Sequence, residues 1–287
     1  MFDLYNIKDP SFLDDLSIKE LDILAQEIRE FLIEKISKTG GHLSSNLGVV
    51  ELTIALHKVF DSPNDKLIFD VGHQAYVHKI LTGRANQFDN LRKHKGLSGF
   101  IKRNESVHDI YEAGHSSTSI AAAAGIEFSK RYSKDSFKVI PIIGDGALTG
   151  GMAFEALNFL GGQSDHQPII IWNDNEMSIS ENIGYLARLL NGIRGKSSYK
   201  KMKLKTKKIL PGFLRRFSSK VERGIKSFVS SNVFDDLGFS YFGPINGHNF
   251  KEIIKHLEIA KKSNKPCVVH ILTEKGKGYK YSEKDII

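Results

Sequence analysis

Residues 137–177 read FKVIPIIGDGALTGGMAFEALNFLGGQSDHQPIIIWNDNEM, and the reading of this stretch decides the fold. Residues 137–143 are a short apolar run with β-branched members that stops at Gly144-Asp145-Gly146, as a buried strand ending in a turn does. Residues 152–160 then carry apolar side chains at helical spacing, and a second β-branched run, 169–172, closes on Asn173-Asp174-Asn175. Two strands joined through one helix pack as a right-handed parallel crossover, so both carboxyl ends open on the same edge of a sheet. Asp145 and Asn175 are therefore expected to meet on that edge.

This pairing has a chemical meaning. A small hard cation such as Mg²⁺ takes oxygen ligands in a near-octahedral set, with one or two carboxylates completed by phosphate and water. Asp145 supplies a charge, Asn175 a neutral amide oxygen, and the carbonyl of Met177 completes the protein's share. Glycines 144, 146, 150 and 151 allow the backbone to approach a diphosphate with N–H groups near a helix N-terminus. Gly-Asp-Gly alone reads as a plain strand-end turn. The Asn-Asp-Asn that begins 28 residues after Asp145, at the end of the next strand, favours the metal-diphosphate cradle.

Working outward, Ser17 and Glu20 form a capping box ahead of helically spaced Leu21, Leu24, Ile28, Phe31, Leu32 and Ile36, which predicts a helix over about 18–38. Gly40-Gly41 stops it. His42 begins a polar loop, GHLSSN, leading to a second helix over 49–60, and a histidine in a glycine-flanked loop is a functional candidate. Residues 67–71 read as a buried strand running into Gly72-His73, which puts His73 on the same rim as Asp145. Gly114-His115-Ser116-Ser117 precedes a small-residue helix, 118–128; the N–H groups ahead of it and the Ser116 hydroxyl are expected to face an anion. In the last third, 243–248 reads as a turn, followed by a helix at 249–262, a strand at 266–272 and a final rim loop at 273–279. The predicted class is α/β: a mostly parallel sheet with helices on both faces.

Composition bounds the function. A chain of 287 residues, 40% hydrophobic, buries a real core as one large domain or two small ones. The N-terminus has acids where a signal peptide needs a basic start, and no apolar run reaches a membrane span, so the expectation is a soluble cytoplasmic protein. The single cysteine, Cys267, lies in an apolar run and reads as a buried small hydrophobe. The net charge of +8 is local: residues 196–226 hold 12 Lys/Arg against Glu222, a charge of +11, which leaves about −3 for the rest. A mobile basic insertion at about 185–232 is expected, and nucleic acid is disfavoured because aromatics do not interleave with the basic residues.

The wording GDGALTGGMAFEALN with NDNEMSIS resembles the 1-deoxy-D-xylulose-5-phosphate synthases, transketolase-like thiamine diphosphate enzymes. The resemblance extends through TGGHLSSNLGVVELTIALH (39–57), IFDVGHQAYVHKILTGR (68–84), GLSGFIKRNES (96–106), AGHSSTSIAAAAG (113–125), LGFSYFGPINGH (237–248) and TEKGKGY (273–279). It implies a thiamine diphosphate-binding fold with bound Mg²⁺, the metal held by Asp145, Asn175 and Met177. His42 is then placed beside the reacting substrate carbon, and His73, Gly114, His115, Ser116, Gly146, Ala147 and Asn175 contact the cofactor, with Tyr279 on its thiamine side. The implied reaction joins pyruvate and glyceraldehyde 3-phosphate, with loss of CO2, on the route to isoprenoids and thiamine, in a homodimer or in a heteromer with a pyrimidine-domain polypeptide.

The chain departs from the family at Asn246, where Asp is usual, and at Val107-His108, where Glu-Tyr is usual; both bear on local packing or substrate fit. Such synthases are roughly twice this long. The resemblance implies that residues 1–287 are the diphosphate-binding domain, without the pyrimidine-binding domain that carries the cofactor-activating Glu and without the C-terminal domain. The alternatives are the N-terminal subunit of a split transketolase and a non-catalytic cofactor-binding remnant.

Overall fold

The structure is a computed structural model that describes residues 2–133, 136–163, 165–175 and 233–281. The expected insertion at 185–232 and the expected ligand Met177 lie outside the described residues. The frame is a parallel sheet of β1 (Lys66–Phe69), β2 (Val139–Gly144), β3 (Ile169–Asp174), β4 (Ser240–Asn246) and β5 (Cys267–Leu272), in the order β1-β2-β3-β5-β4. The helices are α1 (Ile18–Thr39), α2 (Leu43–Leu47), α3 (Val50–Val59), α4 (Tyr76–Lys79), α5 (Ser119–Ser129), α6 (Asp145–Leu148), α7 (Gly151–Gly161) and α8 (Phe250–Lys261).

Near-continuous apolar strands identify a sheet covered on both faces, and the pleat divides their side chains between two cores. Ile140, Ile142, Ile169, Ile171, Val269 and Ile271 join the core that includes residues of α1, α3 and α8. Ile143, Ile170, Trp172 and Val268 join the core beneath α5 and α7. At about 25 cal/mol per Å² of apolar surface removed from water, this double coverage is the main term holding the sheet.

The expected elements are present within a residue or two, and the Ser17–Glu20 capping box closes in both directions. Two expectations fail. Residues 43–47 of the expected loop are the short helix α2, and 243–246 of the expected turn belong to β4. β4 is an edge strand whose pairing with β5 shifts register between Phe242 and Ile245, and a bulged edge is where a sheet tolerates proline. Gly243 (φ +131°) passes so close to β5 that a Cβ would lie 2.5 Å from the His270 carbonyl oxygen.

Candidate functional site

Strand register builds the rim. Phe69 pairs with Ile142, Gly144 with Asn173, and Asp174 with Leu272, so the loops at 70–76, 145–151 and 273–279 leave one edge of the sheet beside Asn175. Asp145, buried at the start of α6, directly follows Gly144, the last residue of β2, while Asp174 is the last residue of β3. The register thus brings the strand ends that precede Asp145 and Asn175 side by side.

The glycines of the loop differ in what they do. Among the described residues, a Cβ on Gly144 or Gly151 would meet nothing within 4 Å, which leaves room there for a ligand. Gly150 is different: its Cβ would fall 2.2 Å from Ser117 Oγ, and that hydroxyl donates to the Ala147 carbonyl at 2.7 Å. On the side where a side chain would stand, the Gly150 backbone is thus approached by the loop before α5.

A correction concerns the start of α5. The N–H groups of Ser117, Thr118 and Ser119 donate to the buried Asp70 carboxylate at 2.9, 3.0 and 3.0 Å. The carboxylate following β1 thereby occupies the helix N-terminus that was expected to face an external anion. Gly114 (φ +79°), His115 and Ser116 are exposed just ahead of this cap, with the Gly114 N–H donating to Val71 O at 3.2 Å.

His42 and His73 come together. Their rings meet edge to face at 5.5 Å, with Phe100 5.4 Å from His42 and the Tyr76 hydroxyl 3.4 Å from His42 Nδ1. Burial, with Arg92 adding to it, lowers the His42 pKa. Burial holds the His73 pKa down at about 4, with His42 and Lys275 adding repulsion, and its buried Nδ1 has no hydrogen-bond partner among the described residues. His73 is therefore a neutral ring at pH 7 with one polar atom unsatisfied, which is an arrangement awaiting a hydrogen-bonding ligand.

Several functional-site residues escaped the sequence reading. Asn46 Nδ2 donates to the carbonyls of His42 and His73, each at 2.8 Å, and its Oδ1 accepts from Tyr76 N at 2.9 Å. Thr273 Oγ1 donates to Asn173 Oδ1 at 2.6 Å, Asn173 reaches Gln74 at 3.4 Å, and Gln74 reaches Ser45 O at 3.4 Å. Gly276 N donates to Ser44 O at 2.8 Å. Behind the 273–279 loop, Arg29 Nη2 pairs with both oxygens of Glu51 at 2.6 and 2.7 Å, and Arg29 Nε donates to Lys277 O at 3.1 Å. His248 joins Glu51 at 3.1 Å through Nδ1 and accepts Glu274 N at 2.8 Å through Nε2. Burial alone would raise the Glu51 pKa, but His248 and Arg29 bring it below the ordinary value. Tyr279, by contrast, was expected on the thiamine side of the cofactor; it is half-buried against the core, its ring 5.6 Å from that of Tyr281. Asp70, the acid that follows β1, had a local signal; Asn46, Gln74, Thr273, Arg29, Glu51 and His248 act chiefly through partners distant in sequence.

The residues present fit a metal-diphosphate group. Among the described residues no cluster of three or more His, Cys, Asp and Glu could hold a metal, and a cation held by one carboxylate, an amide oxygen and phosphate needs no such cluster. The open backbone at Gly144 and Gly151 and the unsatisfied His73 Nδ1 are the parts left for a ligand to meet.

The architecture is that of the transketolases. Transketolase from Leishmania mexicana aligns over 92% of this chain and 37% of its own, with a TM-score of 0.66 at 18% identity; that of Campylobacter jejuni aligns over 92% and 39%, with 0.65 at 22%. The sequence narrows this class: the family model described as 1-deoxy-D-xylulose-5-phosphate synthase matches residues 4–273, and the chain belongs to that family. The 1-deoxy-D-xylulose-5-phosphate synthases of Listeria innocua and Macrococcus caseolyticus are each 54% identical over 99% of this chain. The chain spans 46% of the length of each of these relatives.

Proposed function

We propose that the chain is the diphosphate-binding part of a 1-deoxy-D-xylulose-5-phosphate synthase, a transketolase-type transferase that joins a two-carbon unit from pyruvate to glyceraldehyde 3-phosphate. The observation that carries this reading is the neutral His73 ring with its buried Nδ1, unpartnered among the described residues, on the rim where β2 and β3 end side by side. Thiamine diphosphate, when bound, supplies the carbon nucleophile of this chemistry. Asp145, Asn175 and the Met177 carbonyl hold Mg²⁺. Backbone at Gly146 and Ala147, the Gly114-His115-Ser116 segment and His73 hold the diphosphate, and Tyr279 lies on the thiamine side. His42, neutral at pH 7 because burial lowers its pKa, accepts or returns a proton at the substrate, with Tyr76 orienting its Nδ1. Two-carbon transfer for isoprenoid and thiamine precursors, in the cytoplasm and in a dimer or a heteromer with a pyrimidine-domain polypeptide, completes the reading. The split-transketolase alternative is less favoured, since synthases match at 52–54% identity and transketolases at 17–22%.

The test is calorimetry of thiamine diphosphate with Mg²⁺. Asp145→Ala is expected to abolish Mg²⁺-dependent binding while circular dichroism stays that of the wild type, because the side chain sits on the rim and outside the two cores. Equal affinity in the two proteins would overturn the metal assignment.

A further inference from the structure

We infer that Asn46 is the positioning residue that sets His42 and His73 against each other, a single buried amide bonded to the backbone of both histidines. It rests on the proposed function for what the two rings do; the tie itself stands on geometry. Asn46 is fully buried in a helix of five residues. A helix this short does not persist on its own, so its placement comes from its neighbours. The two hydrogens of Nδ2 go to the carbonyls of His42 and His73, and Oδ1 takes the N–H of Tyr76. Three hydrogen bonds from one side chain thus join residue 42, residue 73 and the first residue of α4.

The consequence reaches both rings. Fixing Tyr76 N fixes the start of α4, whose Tyr76 hydroxyl lies 3.4 Å from His42 N and 3.4 Å from His42 Nδ1. Fixing His73 O holds that ring under cover, edge to face with His42 at 5.5 Å. The carboxamide suits this task because it offers two donors and an acceptor in one plane. Aspartate lacks the donors, a hydroxyl is too short to span both carbonyls, and leucine has neither. The groups facing His73 are His42 and Lys275, on the α2 side and in the 273–279 loop, and the loop is itself tied to Ser44 O. Releasing α2 from the His73 loop therefore admits water to a ring that burial keeps neutral.

The experiment follows the histidine ring signals by NMR through a pH titration of the 287-residue chain. Asn46→Leu, which fills the space and adds no charge, is expected to raise the His73 midpoint from about 4 by about one unit or more toward its ordinary value. Asn46→Ser is titrated in parallel, so that a leucine variant that fails to fold still leaves a decisive measurement. Leu47→Ala, at an equally buried neighbour, is expected to lower the melting temperature and leave the His73 midpoint in place. An unchanged midpoint in folded Asn46 variants, or an equal shift in Leu47→Ala, overturns the inference. The titration needs no cofactor and no turnover, so failure of thiamine diphosphate to bind the wild type would sink the functional reading and leave this result standing.

Discussion

Beneath the rim, a row of buried side chains fixes its own protonation. Arg84 grips both oxygens of Asp109 at 2.7 and 2.9 Å, and that pair, together with His78, holds Asp109 ionised against the cost of burial. His78 Nε2 lies 2.9 Å from Asp109 and must donate, so its Nδ1 accepts from His57 Nε2 at 2.9 Å. The remaining His57 Nδ1 is then a buried acceptor without a partner. Burial drives His78 to about 4 and His57 well below the ordinary value of 6.5. Both folded-state pKa values are depressed, so below pH 6.5 the unfolded chain binds more protons than the folded one. Their contribution is fully present above that pH and is lost as pH falls toward 4. Each histidine adds up to about 1.4 kcal/mol per pH unit to the slope. His57→Gln retains an N–H for His78 and cannot titrate. Urea unfolding between pH 6.5 and 4.5 is expected to show a slope shallower by about that amount, and an unchanged slope would remove His57 from this account.

At the level of elements, the loop at 273–279 is held from two sides, by Ser44 of α2 and by the Arg29–Glu51–His248 cluster of α1, α3 and the residues before α8. Arg29 and Glu51 are both buried, and removing one member of such a pair strands the other. Glu51→Ala is therefore expected to cost about 3–5 kcal/mol in urea unfolding and to speed amide exchange across 273–279 more than across β2 and β3. Uniform exchange would mean that the cluster stabilises the fold without holding the loop. The same elements mark what was legible in the sequence. Apolar β-branched runs located β2 and β3 and helical spacing located α1 and α7, because burial in a sheet or on a helix face writes itself locally. α2 and β4 were misread because their causes are not local. Leu43–Leu47 is a helix by virtue of what Asn46 and Ser44 bond to, and Gly243-Pro244 sits in a strand because that strand is an edge with a bulge. The strand ends beside Asp145 and Asn175 were legible through spacing and strand order; Asn46, Gln74 and Glu51 owe most of their meaning to partners 22–197 residues away.

At the scale of the whole molecule, the carboxylates near the rim are already committed. Asp70 caps α5 with three N–H bonds, Asp174 bonds His270 at 2.9 Å, and Glu51 belongs to Arg29 and His248. Asp145, the proposed metal ligand, is the first residue of α6, directly after β2. The family resemblance assigns the acid that activates the cofactor to a pyrimidine domain, and these 287 residues span 46% of the length of the synthases they match. The polypeptide of residues 1–287, given pyruvate, glyceraldehyde 3-phosphate, thiamine diphosphate and Mg²⁺, is therefore expected to form no 1-deoxyxylulose 5-phosphate above background. Adding the complementary half of the Listeria innocua synthase, which is 54% identical over this chain, is expected to restore product. In that assembly His42→Ala should lower turnover about 100-fold or more with little change in thiamine diphosphate affinity, since the ring acts at the substrate. Product from residues 1–287 alone would refute the division of labour and require that one of the rim carboxylates leave its present partners to serve as the activating base.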